Sequence, residues 1–162
     1  MAAKTFVWTY QTHVTVPPAT AYAYVSDLSR HSEWSGTELR IEADAPGPVV
    51  VGSTFHSVGK TAGLPFHSEV VITELTPPDR LAFVARGIDG EFLHEFTFRS
   101  DGDGTLIERH ISTRLPRVVG MIVKSINWPL LIRPMNLRAM DRLKKTLERA
   151  PSGAISTQTP DA

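Results

Sequence analysis

Residues 116–149, PRVVGMIVKSINWPLLIRPMNLRAMDRLKKTLER, decide the fold of this chain. In the second half of this stretch, apolar residues recur at the spacing of one helical face. These residues are Met140, Leu143 and Leu147, with Leu137 beside them. Exposed ion pairs on such a helix contribute only about 0.3–0.5 kcal/mol each, so burial of the apolar face must hold the helix in place. The helix therefore needs a large apolar surface on which to lie.

The first half of the stretch is apolar on nearly every side and is interrupted by Pro129 and Pro134. Each proline removes a backbone donor and clashes with the carbonyl four residues earlier, so we expect a kink or a break there. Its apolar content exceeds what one packing face requires. We predict that residues 117–133 form the lid or mouth of a cavity, and a homodimer contact is the alternative.

Length and composition limit the possible classes of protein. A chain of 162 residues with 41% hydrophobic content fits one domain, which we place at residues 1–150. Seventeen basic and seventeen acidic residues leave no basic footprint for nucleic acid. The last residues, PSGAISTQTPDA (151–162), are small and polar and predict a disordered tail.

The amino terminus and the absence of certain residues point to a cytoplasmic protein without a cofactor. MAAKTFVWTY lacks the pattern of a secretory leader, and no uncharged run is long enough to span a membrane. There is no cysteine, which removes thiolate nucleophiles and the commonest zinc frameworks. The hydrolase motif GxSxG, the phosphate-binding GxxxxGK[ST] and the metalloprotease HExxH are also missing, so we expect neither a cofactor nor a metal.

The element order is one strand, two short helices, six strands and one long helix. Residues 6–16 alternate as a strand does, and Pro17 and Pro18 end it and open a short helix. A second short helix, SRHSEW, is predicted to be capped by Ser29 and to end at Trp34. Six segments of period two then follow, at about 37–44, 52–59, 66–75, 80–87, 91–99 and 105–115. Their short connectors predict antiparallel hairpins.

This order and its motifs resemble the SRPBCC or START-like superfamily, in its polyketide cyclase/dehydrase branch. The matching stretches are VTVPPATAYAYVSDLSRHSEW (14–34), GSTF (52–55), ITELTPPDRLAF (72–83), HEFTFRSDGDGT (94–105) and LRAMDRLKKTLE (137–148). The resemblance implies an α+β helix-grip fold, in which a seven-stranded antiparallel sheet curls around the long C-terminal helix. It also implies a cavity for a hydrophobic or amphipathic small molecule, although not one shared chemistry.

Two polar residues fall on apolar strand faces and are the candidates for catalytic work. Arg109 belongs to the face of Ile107 and Ile111, and His94 to a face of phenylalanines. We expect His94 to lie opposite His110 or, with a one-residue bulge that the apolar pattern favours, opposite Arg109. An inward arginine needs a carboxylate, carbonyls, water or a ligand anion as its partner. The alternatives are an Arg109 that reaches the rim or pairs with a glutamate, and a His94 that is a satisfied core residue.

The sequence FHS occurs twice, at 55–57 and 66–68, on the two arms of one hairpin. A turn centred between Thr61 and Ala62 would make His56 and His67 cross-strand neighbours, with Glu69 on the same face. Two histidines on a hairpin are more often a solvated pair than a metal site, which normally has at least three protein ligands. We therefore predict no metal here.

Two functions remain open from the sequence. In the first, the cavity binds a polyketide-, lipid- or aromatic-like molecule whose polar end is oriented by Arg109 and His94. In the second, the protein is a polyketide cyclase, aromatase or dehydratase in which Arg109 stabilises an enolate and His94 moves the proton. A carboxylate or tyrosine fixing the histidine would favour the enzyme. The predicted ligand contacts are apolar: Trp34, Phe55, Phe83, Phe96, Phe98, Ile107, Ile111 and Trp128.

Overall fold

The computed structural model describes residues 3–61, 63–88, 90–116, 120–121 and 123–149, except for the side chains of 61, 123, 124, 127 and 128. Within these residues, seven strands form one antiparallel sheet: β1 (Ala3–Val14), β2 (Glu38–Ala43), β3 (Thr54–Thr61), β4 (Leu64–Thr76), β5 (Arg80–Gly87), β6 (Gly90–Asp101) and β7 (Gly104–Pro116). Their spatial order is β1-β7-β6-β5-β4-β3-β2. The predicted tail at 151–162 lies outside the described residues.

Two short helices connect the opposite edges of the sheet. Helix α1 (Pro18–Ser26) begins with a proline in its first turn, where a backbone donor is not needed. A single 3₁₀ turn and helix α2 (His31–Trp34) follow. The predicted cap, Ser29, is wrong by two residues, because the Asp27 carboxylate accepts the Ser29 N–H at 3.2 Å. Aspartate caps as well as serine does, and Asp27 is the residue with the extended backbone that a cap requires.

The C-terminal helical region winds in two ways. Residues Val123–Ile132 form wide, π-type turns that contain Pro129, and the α-helix α3 runs from Arg133–Arg149. Pro134 stands in the first turn of α3, where proline is tolerated. The predicted break therefore occurs as a change of winding between residues 132 and 133.

Helix α3 packs its apolar stripe against the sheet. Ala139, Met140, Leu143 and Leu147 are buried there with the inner-face residues of the strands. Leu137, which we placed beside the stripe, is instead 44% exposed. A helix turns about 100° per residue, so Asn136, and not Leu137, lines up with Met140, Leu143 and Leu147. Asn136 is indeed buried, and this buried amide becomes important at the site.

The register of the last hairpin differs from the predicted one. Gly102 has a φ of +60°, and Asp101 pairs with Gly104, so only two residues form the turn. His94 consequently lies opposite Ile111, and Arg109 opposite Phe96. Both predicted registers were wrong because they centred the turn too early. His94 and Arg109 are nevertheless diagonal neighbours on one face.

The predicted register of the hairpin of β3 and β4 was also wrong, again because its turn was centred too early. Its turn is centred after Ala62, so His56 lies opposite Glu69, and His67 lies opposite Val58. The two histidines share a face but are not directly paired. In the described part of the chain, no helix has the length and apolar character needed to cross a bilayer.

Two leucines on α3 test the packing of this helix. Leu143 is 0% exposed, so Leu143→Ala should lower the free energy of unfolding by about 2–5 kcal/mol. Leu137→Ala removes the same atoms from the exposed side of the helix and should change it by no more than about 0.5 kcal/mol. Urea denaturation of both variants measures the difference. Equal costs would contradict this orientation of α3.

Candidate functional site

A cleft of two lobes lies between the inner face of the sheet, helix α2 and the first turn of α3. The first, which we call the α2 lobe, has a volume of about 190 Å³. Most of its surface is apolar. The residues that line this lobe alone include the apolar Trp34, Leu39, Ile41, Val70, Phe83 and Ala139 and the polar His31, Ser35, Thr37 and Ser57. The second, the turn lobe, has a volume of about 280 Å³ and opens near the β5–β6 turn. Its own lining includes Ile88, Phe92, Ile111 and Ile132.

The two lobes share one wall, which we call the central wall. It consists of Phe66, Ser68, Ala85, His94, Arg109, Met135 and Asn136. Strands of the sheet and the first turn of α3 contribute to it, so its geometry depends on how α3 packs on the sheet. Both candidate polar residues from the sequence, His94 and Arg109, are in this wall.

Arg109 is held by two neutral side chains. Its Nη1 donates to Asn136 Oδ1 at 3.1 Å, and its Nη2 donates to His94 Nδ1 at 3.1 Å. The guanidinium carbon lies 5.3 Å from the centre of the Phe96 ring and 5.8 Å from that of Trp34. Ring faces at this range attract a cation. The guanidinium is thus fixed in position without any formal negative charge at these contacts.

The charge of Arg109 has no carboxylate partner among the described residues. No described Asp or Glu lies within 4.0 Å of its nitrogens, and neither lobe is lined by one. Burial lowers the pKa of Arg109 to about 10, and the negative charge of Tyr10, when it is ionised, acts in the opposite direction. The side chain therefore remains a cation at neutral pH. A part-buried cation without an anion beside it is costly, which distinguishes this site from an ordinary core.

His94 is neutral, and the proton on its ring has a defined place. An arginine can only donate, so His94 Nδ1 must accept from Arg109, and the ring proton is on Nε2. Burial, and then the charges of Arg109 and His31, hold the pKa of His94 well below its usual range. The ring also stacks on its cross-strand neighbour Phe83, with centroids 4.9 Å apart. His94 is therefore an oriented hydrogen-bond donor and not a free base.

His31 is a buried histidine that the sequence analysis did not single out. It is 4% exposed, and its Nε2 lies 3.0 Å from the Val25 carbonyl oxygen, to which it donates. Its ring packs 4.5 Å from that of Trp34. Burial lowers the pKa of His31 to about 4, so the ring stays neutral. His31 helps to set Trp34 in the wall of the α2 lobe.

The predicted ligand contacts divide into two groups. Trp34, Phe83 and Ile111 line the cleft. The others with described side chains are buried in the core and are not part of the lining: Phe55, Phe96, Phe98 and Ile107. The side chain of Trp128 lies outside the description. Alternation along a strand identifies the inner face, but it does not tell which part of that face borders the cleft and which lies under the helices.

Asn136 is the polar residue of the central wall that sequence reasoning missed. Its Nδ2 donates to the Ile132 carbonyl oxygen at 2.9 Å, which leaves Oδ1 turned toward Arg109. The signal was present in the sequence, because Asn136 falls on the apolar stripe of α3 at helical spacing. A polar residue in the middle of such a stripe needs a partner in the interior.

His56 and His67 are on the outer face of the sheet and are not part of the central wall, although His67 borders the turn lobe. Both are exposed, and His56 Nε2 is 3.2 Å from Asp44 Oδ1. Glu69 shares their face, as predicted, and lies directly opposite His56. Within the described ranges, no group of three or more potential metal ligands comes together.

Comparison with known proteins identifies the family. A sequence profile described as polyketide cyclase/dehydrase and lipid transport matches residues 5–148. The chain belongs to this family. No curated protein matches the sequence.

Solved structures of other proteins have the same fold as this chain. TTHA0849 from Thermus thermophilus superposes with a TM-score of 0.70 at 17% identity, covering 91% of this chain and 100% of that one. A norcoclaurine synthase from Thalictrum, solved with a transition state analogue, superposes with a TM-score of 0.68 at 14% identity, covering 91% of this chain and 96% of that one. The di-domain ARO/CYC BexL of the BE-7585A biosynthetic pathway superposes with a TM-score of 0.65 at 16% identity, covering 90% of this chain and 50% of that one. At these identities the likeness establishes the helix-grip fold alone.

Replacement of Arg109 tests whether the fold needs its charge. Arg109→Met should leave the free energy of unfolding unchanged or raise it, because a desolvated cation is replaced by an apolar side chain of similar length. The acceptors that it leaves, on Asn136 and His94, border the cleft, where water can replace the guanidinium. Thermal melts without ligand measure this. A loss of about 3–5 kcal/mol would instead show that Arg109 neutralises a carboxylate of the chain.

Because His31 and His94 are buried and neutral, we predict that the folded protein loses stability as the pH falls from 7 to 5, above the pH range in which carboxylates titrate. The pKa of His31 is about 4 in the folded protein, so the unfolded chain, with an ordinary histidine pKa near 6.5, binds its proton first as the pH falls. Stability is therefore complete above about pH 6.5 and is lost as the pH falls toward 4. For His31 alone, the change from pH 7 to pH 5 should cost about 2 kcal/mol, and His94 adds in the same direction.

Melting temperatures at pH 7 and pH 5 measure this loss. His31→Gln should reduce the difference between the two pH values, whereas His67→Gln, on the exposed outer face, should preserve it. An equal slope in the wild type and His31→Gln would show that His31 does not stay neutral in the folded protein.

Proposed function

We propose that this protein binds an apolar or amphipathic small molecule in the two-lobed cleft, with Arg109 holding an acceptor group of that molecule. The observation that carries this proposal is a cationic guanidinium, without a described carboxylate partner, in a wall shared by two apolar lobes. A sequence under selection for stability alone would place an apolar residue at this position. The bound molecule is the partner that the chain itself does not supply.

The dimensions of the cleft are compatible with this function. An apolar cavity of about 150 Å³ is large enough to take up benzene. The α2 lobe, of about 190 Å³, and the turn lobe, of about 280 Å³, therefore each have room for at least one ring or a short chain. Mostly apolar walls with a few convergent polar groups are typical of small-molecule sites. Two solved relatives of the same fold, a norcoclaurine synthase and an ARO/CYC, are named for small-molecule chemistry, which is consistent with such a site.

A cyclase, aromatase or dehydratase reaction is the second candidate. The position of Arg109 would suit an enolate oxygen, because a preformed cation stabilises charge that develops in a transition state. His94, however, is poorly suited to move the proton. Its Nδ1 is occupied by Arg109, its Nε2 carries the proton, and the neighbouring cation lowers its pKa further. Nor is a hydrogen bond from a carboxylate or a tyrosine to His94 present in the described part of the chain. These features favour binding over acid–base catalysis.

The region before α3 bears on access to the cleft. Ile132, at the end of the wide helical turns, lines the turn lobe, while Ile126, Leu130 and Leu131 are exposed. We propose that residues 117–133, of which 117–119 and 122 lie outside the described residues, form the mouth of the cleft, and a homodimer contact through the exposed side chains is the alternative. A cytoplasmic location and the absence of a nucleic-acid partner remain predictions from composition.

A side chain that fills the cleft should weaken the binding of small molecules. Ala85 is in the central wall, so the ring of Ala85→Phe projects into the junction of the two lobes. Titration with phenylnaphthylamine, an uncharged fluorophore with two aromatic parts, should show saturable binding to the wild type and a loss of at least tenfold in affinity in this variant. Val58→Phe adds the same ring to the outer face and should bind as the wild type does. Equal binding by all three proteins, or none by the wild type, would contradict the proposed function.

A further inference from the structure

We infer that the ligand is a molecule with one negatively charged, acceptor-rich group in its middle, flanked on both sides by apolar bodies. This inference rests on the proposed function and specifies the class of molecule that the cleft takes up. Carboxylates, sulfonates, phenolates and enolates in such a position all belong to this class.

The sign of the charge follows from the residues that line the cleft. Its described lining contains the permanent cation Arg109 and no Asp or Glu. The partners of Arg109, Asn136 and His94, are neutral acceptors and do not balance its charge. A cationic ligand would add a second positive charge to a desolvated site, and a neutral one would leave the first unbalanced. An anion is the ligand that makes the occupied cleft neutral.

The character of the group follows from the hydrogen-bonding inventory. A guanidinium has five N–H donors, and Arg109 uses two nitrogens on described partners while its Nε has none among them. His94 offers Nε2–H. Trp34, 2% exposed and in the wall of the α2 lobe, has an Nε1–H without a described partner. These N–H groups have no described acceptor, whereas the lining hydroxyls of Ser57 and Ser68 can both donate and accept, so the matching ligand group is one that accepts hydrogen bonds.

The position of the group follows from the arrangement of the lobes. Arg109 and His94 are in the wall common to both lobes and not at the outer end of either one. On one side lie Trp34 and Phe83, and on the other lie Phe92 and Ile111. A fatty acid, with its charge at one end, would fill only one lobe while its carboxylate contacts Arg109. A molecule whose charge stands between two apolar parts fills both.

Two fluorophores with the same rings test this inference. Anilinonaphthalene sulfonate, in its peri isomer, carries a sulfonate beside the link between its two aromatic parts, and phenylnaphthylamine is the same molecule without the sulfonate. The wild type should bind the sulfonate about ten to a hundred times more tightly, as expected for charge-assisted hydrogen bonds in a desolvated site. Arg109→Met should abolish this ratio while phenylnaphthylamine still binds. Arg99→Met removes a charge from the exposed outer side of β6 and should preserve the ratio.

The outcomes separate this inference from the proposed function. Equal affinities of the wild type for the two probes would overturn the inference but leave uptake of apolar molecules standing. A preference for the sulfonate that persists in Arg109→Met would also overturn it, because a group other than Arg109 would then bind the sulfonate. If neither probe binds, the proposed function itself fails. Should Arg109→Met not fold, Arg109→Gln gives the same comparison, and the wild-type ratio alone can already contradict the inference.

Discussion

The part-buried guanidinium of Arg109 is the interaction on which the geometry of the cleft depends. Its two hydrogen-bond acceptors come from elements that are distant in sequence: His94 on β6 and Asn136 in the first turn of α3. Each acceptor is itself fixed, the imidazole by its stack on Phe83 and the amide by its bond to the Ile132 carbonyl oxygen. Sheet and helix are thus joined at the cleft by a polar contact that leaves one positive charge unbalanced. Stability alone does not explain such an arrangement, and the acceptor group of the ligand that we propose would balance the charge.

The rest of the fold keeps this contact in place. Apolar burial under α3 holds the helix against the sheet, and the two-residue turn at Gly102 sets the register that makes Arg109 a diagonal neighbour of His94. The Ser35 carbonyl oxygen, beyond the end of α2, accepts from Arg142 at 2.8 Å, which ties the loop beside Trp34 to α3. The wall of the cleft is therefore assembled by ordinary packing, and its chemistry depends on few residues.

Much of this could be predicted from the sequence. Turn chemistry and period-two segments indicated the number of strands and the hairpins from β3 to β7, because the connectors between these strands are too short for anything but antiparallel hairpins. The register could not be fixed to the residue. It depends on which two residues form the turn, and DGDG and KTAGLP each allow more than one choice. The inward direction of His94 and Arg109 was nevertheless predictable, because the face depends on alternation along each strand.

The site was harder to predict than the fold. Phe96 and Phe98 are on the same strand face as His94, yet both are core, because the cleft occupies only part of that face. Asn136 was overlooked although its place on the helical stripe was evident, and Leu137 was placed there instead. His31 gives no comparable signal, since a four-residue helix is too short to show a face. Tertiary position, which no local pattern encodes, decides these cases.

A crystal structure of the protein with anilinonaphthalene sulfonate tests the central claim most directly. The account predicts a sulfonate oxygen within hydrogen-bonding distance of the Arg109 guanidinium, one ring system in the α2 lobe and the other in the turn lobe. A sulfonate in solvent, or an Arg109 paired with a carboxylate of its own chain, would contradict it.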